Sequence, residues 1–201
     1  MEDRLAGCGM KLVAGVDEAG RGPLAGPVVA SAVILDRRNV PPGIDDSKRL
    51  SAATRERIFE AIASSAVAVG IGIVPPEVID RGNIVQATLQ AMAEAVGALS
   101  ARPDCVVVDG RNLPDLPVPA IAVVQGDARC LSVAAASIVA KVTRDRIMQQ
   151  MDLVYPQYSF GRNKGYGTRA HLEALKKHGP SSIHRFSFEP VSVLVEGAVD
   201  R

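Results

Sequence analysis

Cysteine is scarce in this chain and shows no pattern. Cys8, Cys105 and Cys130 are the only three among 201 residues. An odd number with no C-x-x-C spacing excludes a disulfide framework and a cysteine-rich zinc site, and implies a reducing compartment. No apolar run is long enough to span a bilayer, and residues 1–11 are mixed and charged, without the apolar stretch of a secretory leader. A cytoplasmic protein with no membrane anchor is expected. Internal repeats and low-complexity linkers are missing too. Net charge is almost absent at +1, so the chain as a whole does not advertise a polyanionic partner.

What is present begins with a core. Apolar residues make up 47% of the chain, ample for one globular domain over residues 1–201. The charge is unevenly placed. Residues 141–185 carry nine Lys or Arg against three acids, a surplus of +6, which leaves the remainder near −5. An acidic body and a basic C-terminal third fit a nucleic-acid partner, although for a charge surplus alone a solvated helical face is the favoured account.

Apolar patterning predicts strands over residues 12–16, 28–35, 67–74, 105–108 and 121–124, and helices over 52–64, 83–100, 129–151 and 168–178. Ser51 is the expected N-cap of the first helix. The two late strands are short and β-branched, as buried parallel strands are. Three early strands followed by alternation imply a mixed α/β sheet of five strands, antiparallel at first, then parallel, and flanked by helices. The Pro- and Gly-bearing stretch 156–167 sets off a C-terminal helical segment, about 156–201, which is expected to contribute to substrate binding.

Three apolar runs end in acid: Asp17-Glu18 after Val16, Asp109 after Val108, and Asp127 shortly after Val124. Each acid alone has a bland explanation as a cap, a turn or a solvated loop residue. Side chains alternate along a strand, so Asp17 and Glu18 share one site only if the strand ends or bulges there, and Gly15 and Gly20 invite such an exit. Four converging carboxylates would repel one another unless a cation held them. Without His or Cys, the set selects Mg²⁺ or Mn²⁺. Two such ions, roughly 4 Å apart, would clamp an in-line displacement at phosphorus. Just beyond the first pair, Gly20-Arg21-Gly22 sets a guanidinium between two residues that allow close backbone approach.

Several blocks together resemble bacterial ribonuclease HII: Gly15 to Val29, Asp45-Asp46-Ser47-Lys48-Arg49-Leu50-Ser51, Asp109-Gly110, Gln125-Gly126-Asp127, Ala135 to Asp145, Lys164-Gly165-Tyr166-Gly167-Thr168 and Ile183-His184-Arg185. They cover nearly the whole chain in order. The resemblance implies a ribonuclease H-like fold and an endonuclease cutting 5′ of a ribonucleotide in a duplex, leaving a 3′-hydroxyl and a 5′-phosphate. Its substrates would be RNA–DNA hybrids and single ribonucleotides embedded in DNA, which places it in ribonucleotide removal during replication and repair.

The acidic quartet of that family falls on Asp17, Glu18, Asp109 and Asp127. Asp17 would bridge two ions, Glu18 and Asp109 would hold the leaving-group ion, and Asp127 the ion carrying the nucleophilic water. Gly20, Arg21 and Gly22 match a turn that reads the 2′-hydroxyl. Tyr166 matches a tyrosine that packs on the following deoxyribose. With 3% aromatics and no Trp, a tyrosine between two glycines has little core to fill, which agrees with an exposed contact role. Lys48, Arg49, Lys141 and Lys164 are candidate phosphate contacts, and Lys141 could instead pair with a site acid.

Asn163 stands where many relatives carry His, and His184 has no role that the sequence discloses. His171 and His178 have the wrong spacing for a helical metal pair and are expected at the surface. No clamp-binding motif is seen near the C-terminus, and nothing demands more than a monomer. Two rivals stay open at this point. A small-phosphate phosphatase would place one Asp as nucleophile on a purely parallel sheet, and a silent duplex-binding module would need no acidic cluster.

Overall fold

The computed structural model describes residues 1–45, 47 and 50–199. Five strands form one sheet: β1 (Val13–Ala19), β2 (Val28–Ile34), β3 (Ala68–Val74), β4 (Cys105–Asp109) and β5 (Ala120–Val123). Their order is β3-β2-β1-β4-β5, with β1–β2 and β2–β3 antiparallel and β1–β4 and β4–β5 parallel. This is the expected mixed sheet, and its antiparallel half excludes the purely parallel sheet of the phosphatase rival.

Among the described residues eight α-helices accompany the sheet: α1 (Glu2–Gly7), α2 (Ala52–Ser65), α3 (Pro76–Arg81), α4 (Ile84–Gly97), α5 (Leu131–Val154), α6 (Phe160–Asn163), α7 (Arg169–His178) and α8 (Val191–Val199). Ser51 caps α2 by accepting from the Thr54 N–H at 3.1 Å, as expected. Asn83 caps α4 in the same way, accepting from Val85 and Gln86. The short helices α1, α3 and α6 have too few residues to show a period, and pattern reading passes over them.

The period of two sorts the strand side chains between two layers. Ala14, Val16, Val28, Ala30, Ala32, Ile34, Val106 and Val108 pack with α4. On the other face Val33 joins α2 and α5, and Val13 and Val107 meet Val133 of α5. Helix α5 lies against the strand backbone at Gly15, where a Cβ would stand 2.1 Å from the Ser132 carbonyl carbon and the Val133 nitrogen. Only glycine permits that approach. It brings Ser137, about one turn further along α5, beside Asp17.

A third cluster joins the C-terminal segment to the body through Leu24, Ala25, Met148, Tyr158, Phe160, Leu175 and Val191. Backbone bonds stitch the same seam: Leu24 N–H to Gly165 C=O, Gly26 N–H to Ile183 C=O and Arg185 N–H to Leu24 C=O, each 2.8 Å. The loop bearing Gly20-Arg21-Gly22 is thereby gripped by residues from the far end of the chain.

Candidate active site

Strand β1 stays regular as far as Ala19, paired residue for residue with β2, so no bulge turns Asp17 and Glu18 together. The opening lies on the other edge, where pairing with β4 stops at Val16–Val108. One step further, parallel register sets Asp17 beside Asp109 on the α5 face. Glu18 points to the α4 face, in a small cleft lined by Arg21, Thr88, Leu89, Met92 and Asp109. Three acids thus come together from both sides of the sheet where β4 stops pairing with β1, with neither an end nor a bulge of β1 needed at Asp17 and Glu18.

Asp17 is 6% exposed. Its Oδ1 accepts from the Glu18 N–H at 2.7 Å, and the Ser137 hydroxyl on α5 bonds to it. Ser137 in turn lies 2.9 Å from the Ser47 hydroxyl. Burial first, then the Glu18 and Asp109 charges, push the Asp17 carboxyl well above the usual carboxylate range. Burial also raises Glu18, against the opposing pull of Arg21, whose guanidinium stands 3.4 Å away. Asp109 is fixed by the Gly126 N–H, which donates to its Oδ1 at 2.7 Å. That peptide follows Gln125, held in the left-handed region at φ 57°, a strain that a site can store.

Asp127 occupies the short 3-10 turn Gly126–Ala128, where its Oδ1 accepts from the Ala128 N–H. It lines a cavity of about 470 Å³ with Glu2, Lys11, Arg37 and Arg129, whereas Glu18 and Asp109 line the small cleft. Asp127 does not cap α5. That service comes from Glu2, whose carboxylate accepts from the Leu131 and Ser132 N–H groups at 3.1 and 2.9 Å. Among the described residues no three His, Cys, Asp or Glu side chains form a ready-made cation cage. The donor set itself fits a hard divalent ion: carboxylate oxygens only, one of them buried among like charges that a cation would neutralise. Ser137→Ala removes a neutral donor that orients Asp17. We expect it to raise the Mn²⁺ concentration needed for half-maximal activity roughly tenfold, as read by metal titration of initial rates.

The basic residues divide. Lys48 and Arg49 lie outside the described residues. Lys141 pairs with Asp145 at 2.7 Å and not with a site acid, while Lys164 leans on the Asp145 carbonyl at 3.5 Å. Arg21 is exposed. Tyr166 is 47% exposed, and its ring edge lies 3.9 Å from where a Cβ on Gly22 would sit. Asn163 shapes this loop, donating to the Tyr158 C=O at 2.6 Å and accepting from the Gly165 N–H at 2.8 Å.

Two arginines counted in the basic third are interior. Arg144 donates to the carbonyls of Ala25, Pro27 and Lys164, each at 3.0 Å. Arg185 donates to those of Gly20, Arg21 and Gly26 at 2.5–3.1 Å and lies over the Phe188 ring. Burial lowers them to about 10 and about 9, so both stay charged at neutral pH. Charge counting had assigned both to the surface. For Arg144 the signal was its period, since Ser137, Ala140, Arg144 and Met148 form one buried stripe of α5. The expected surface position of His171 is also corrected, because it is fully buried, as is His184.

A family model described as Ribonuclease HII matches residues 14–191. A protein named Ribonuclease HII from Geobacillus kaustophilus (strain HTA426) is 51% identical over 197 residues, covering 98% of this chain and 75% of that one. The crystal structure of the ribonuclease H2 from Pyrococcus horikoshii OT3 superposes with a TM-score of 0.79 at 28% identity, covering 94% of this chain and 99% of that one. That of Bst-RNase HIII in complex with Mn²⁺ shares the fold, with a TM-score of 0.68 at 19% identity over 94% and 71% of the two chains.

Proposed function

The chain belongs to the ribonuclease HII family and is a ribonuclease H-type endoribonuclease, and from that premise we propose that it hydrolyses the phosphodiester on the 5′ side of ribonucleotides. The substrates are RNA–DNA hybrids and single ribonucleotides embedded in duplex DNA, and the products carry a 3′-hydroxyl and a 5′-phosphate. Such an enzyme serves ribonucleotide removal in the cytoplasm and acts as a monomer. One observation carries the reading: Asp17, Glu18 and Asp109 meet at an open sheet end beside an exposed Arg21 turn, with Tyr166 standing over Gly22.

Asp17, Glu18, Asp109 and Asp127 are the residues that would hold two divalent ions, Mg²⁺ or Mn²⁺, a set consistent with the Mn²⁺ complex of the HIII protein. Bound ions of this kind supply Lewis acidity to the attacking water and to the leaving oxygen. Asp17 and Asp109 are held by donors, and so keep their oxygens aimed without the ions. Arg144 and Arg185 turn the carbonyls of the loop inward, so the Gly20-Arg21-Gly22 turn offers N–H groups to a ligand. A 2′-hydroxyl is the group they would bind, and it distinguishes RNA from DNA. Tyr166 packs on the next sugar, while Lys141 and Lys164, with Lys48 and Arg49, take phosphates.

The test is an end-labelled DNA duplex with one ribonucleotide, incubated with Mg²⁺, Mn²⁺ or EDTA. A single metal-dependent cut immediately 5′ of the ribonucleotide is the expected result, and an intact strand in both metals would refute the proposal. Tyr166→Ala should lower kcat/KM at that site by roughly tenfold or more, since one aromatic contact is worth ~1–3 kcal/mol. Equal rates for parent and variant would remove Tyr166 from the reading.

A further inference from the structure

Tyr166 has an exposed ring, so its direction is set by its backbone more than by packing. Its N–H donates to the Asn163 C=O at 3.0 Å, and its carbonyl accepts from the Thr168 N–H at 2.7 Å. A second donor reaches the same carbonyl from below: His171 Nδ1, at 2.9 Å. Behind it the two buried histidines meet, Nε2 to Nε2, at 3.0 Å, and His184 Nδ1 faces the Ser181 N–H at 2.9 Å and the Ser181 hydroxyl, which can donate to it as well, at 2.8 Å.

Only one arrangement of protons satisfies this chain. A peptide N–H can only donate, so His184 Nδ1 is bare and its proton sits on Nε2. That proton is donated to His171 Nε2, which places the proton of His171 on Nδ1, where the Tyr166 carbonyl accepts it. Both rings are therefore neutral and have a defined tautomer. Burial, the largest cause for each, holds both below the ordinary histidine range, and His171 helps bring His184 down to about 4. The rings of Tyr158 and Phe160 enclose the pair.

We propose that His171 and His184 are positioning residues for Tyr166: a directional hydrogen-bond relay, running from the Ser181 N–H to the Tyr166 carbonyl, that holds the tyrosine over Gly22 and so sets discrimination at the RNA-to-DNA step. The relay spans the seam between the turn at Ser181–Arg185 and the loop at Lys164–Thr168. Neither ring reaches the acids, so the pair acts through Tyr166 alone. Its functional half rests on the reading of Tyr166 given above, and its structural half does not.

His171→Leu keeps bulk but removes the donor, whereas His171→Asn returns a donor near the position of Nδ1. Two readouts separate the halves. Amide hydrogen exchange of the full-length variants should quicken at residues 165–168 in His171→Leu, with β1 and α4 unaffected, and return toward the parent in His171→Asn. Cleavage at a single ribonucleotide in DNA should fall in His171→Leu by up to the loss seen in Tyr166→Ala, roughly tenfold, with a much smaller loss inside a uniform RNA–DNA hybrid, and recover in His171→Asn. Should His171→Leu not fold, His171→Phe carries the same comparison.

Unchanged exchange at 165–168 would overturn the relay. Quickened exchange with intact single-ribonucleotide cleavage, while Tyr166→Ala loses it, would overturn its role in discrimination. No loss in Tyr166→Ala would overturn the reading of Tyr166, and the discrimination role with it, leaving exchange to decide the relay.

Discussion

Asp17→Asn should lower kcat by roughly a thousandfold or more, about 4 kcal/mol of transition-state stabilisation, while raising the thermal stability of the metal-free protein. The two effects share one cause. Asp17 is nearly buried, with Glu18 and Asp109 adding like charge. Its raised carboxyl means that the folded state holds its proton more tightly than the unfolded chain does. Stability of the metal-free parent therefore falls as pH climbs from the ordinary carboxylate range, ~3.9, through the raised value.

An amide oxygen still accepts from the Glu18 N–H and from Ser137, so the variant keeps its shape and loses only the charge. Initial rates at saturating Mn²⁺, beside thermal melts in EDTA at neutral pH, measure both halves. Activity within tenfold of the parent would remove Asp17 from the centre of the site, and a lower melting temperature would contradict the electrostatic argument.

Arg185→Met should destabilise the protein by about 3–6 kcal/mol, because a buried acceptor left without a donor costs ~1–3 kcal/mol and this side chain serves the carbonyls of Gly20, Arg21 and Gly26 together. For a chain of this size that is a fall in Tm of roughly 10 °C or more. Arg185→Lys should rescue little, since one ammonium cannot span three carbonyls arranged for a planar fork. Urea titration settles the magnitude, and a loss under about 1 kcal/mol would show that water replaces the guanidinium at no great cost. Cleavage should suffer beyond the stability loss, because the freed carbonyls belong to the Gly20-Arg21-Gly22 turn.

Asp17, Glu18 and Asp109 stood out in the sequence because each follows the apolar residues of a strand, whereas Asp127 lies beyond its strand, in the 3-10 turn after β5. The five strands and four longer helices could be read for a similar reason, since each carries its own period. What escaped depends on partners far along the chain. Nothing near Arg185 says that its hydrogen bonds go to residues 20–26. Local sequence likewise does not say that Glu2 caps a helix beginning at Leu131. His171 had a weak signal, being four residues before the buried Leu175 on α7, but a polar residue at one position of a short stripe reads as a boundary. Alternation along β1 alone allowed Asp17 and Glu18 a common site only where the strand ended or bulged; β1 runs on to Ala19, and it is the neighbour β4 that stops pairing first.

The seam between the N-terminal loop and the C-terminal segment also governs the order of assembly. Arg185 meets the carbonyl of Gly20 across 165 positions of chain, and closing so long a loop is entropically slow compared with forming hairpins and helices. Until that closure the carbonyls of the turn remain bonded to water, and Tyr166 lacks the platform beneath it. The sheet and its acids can thus form early while the surface that would select a substrate forms last. A folding intermediate would carry the clustered carboxylates without the surface proposed to select a substrate.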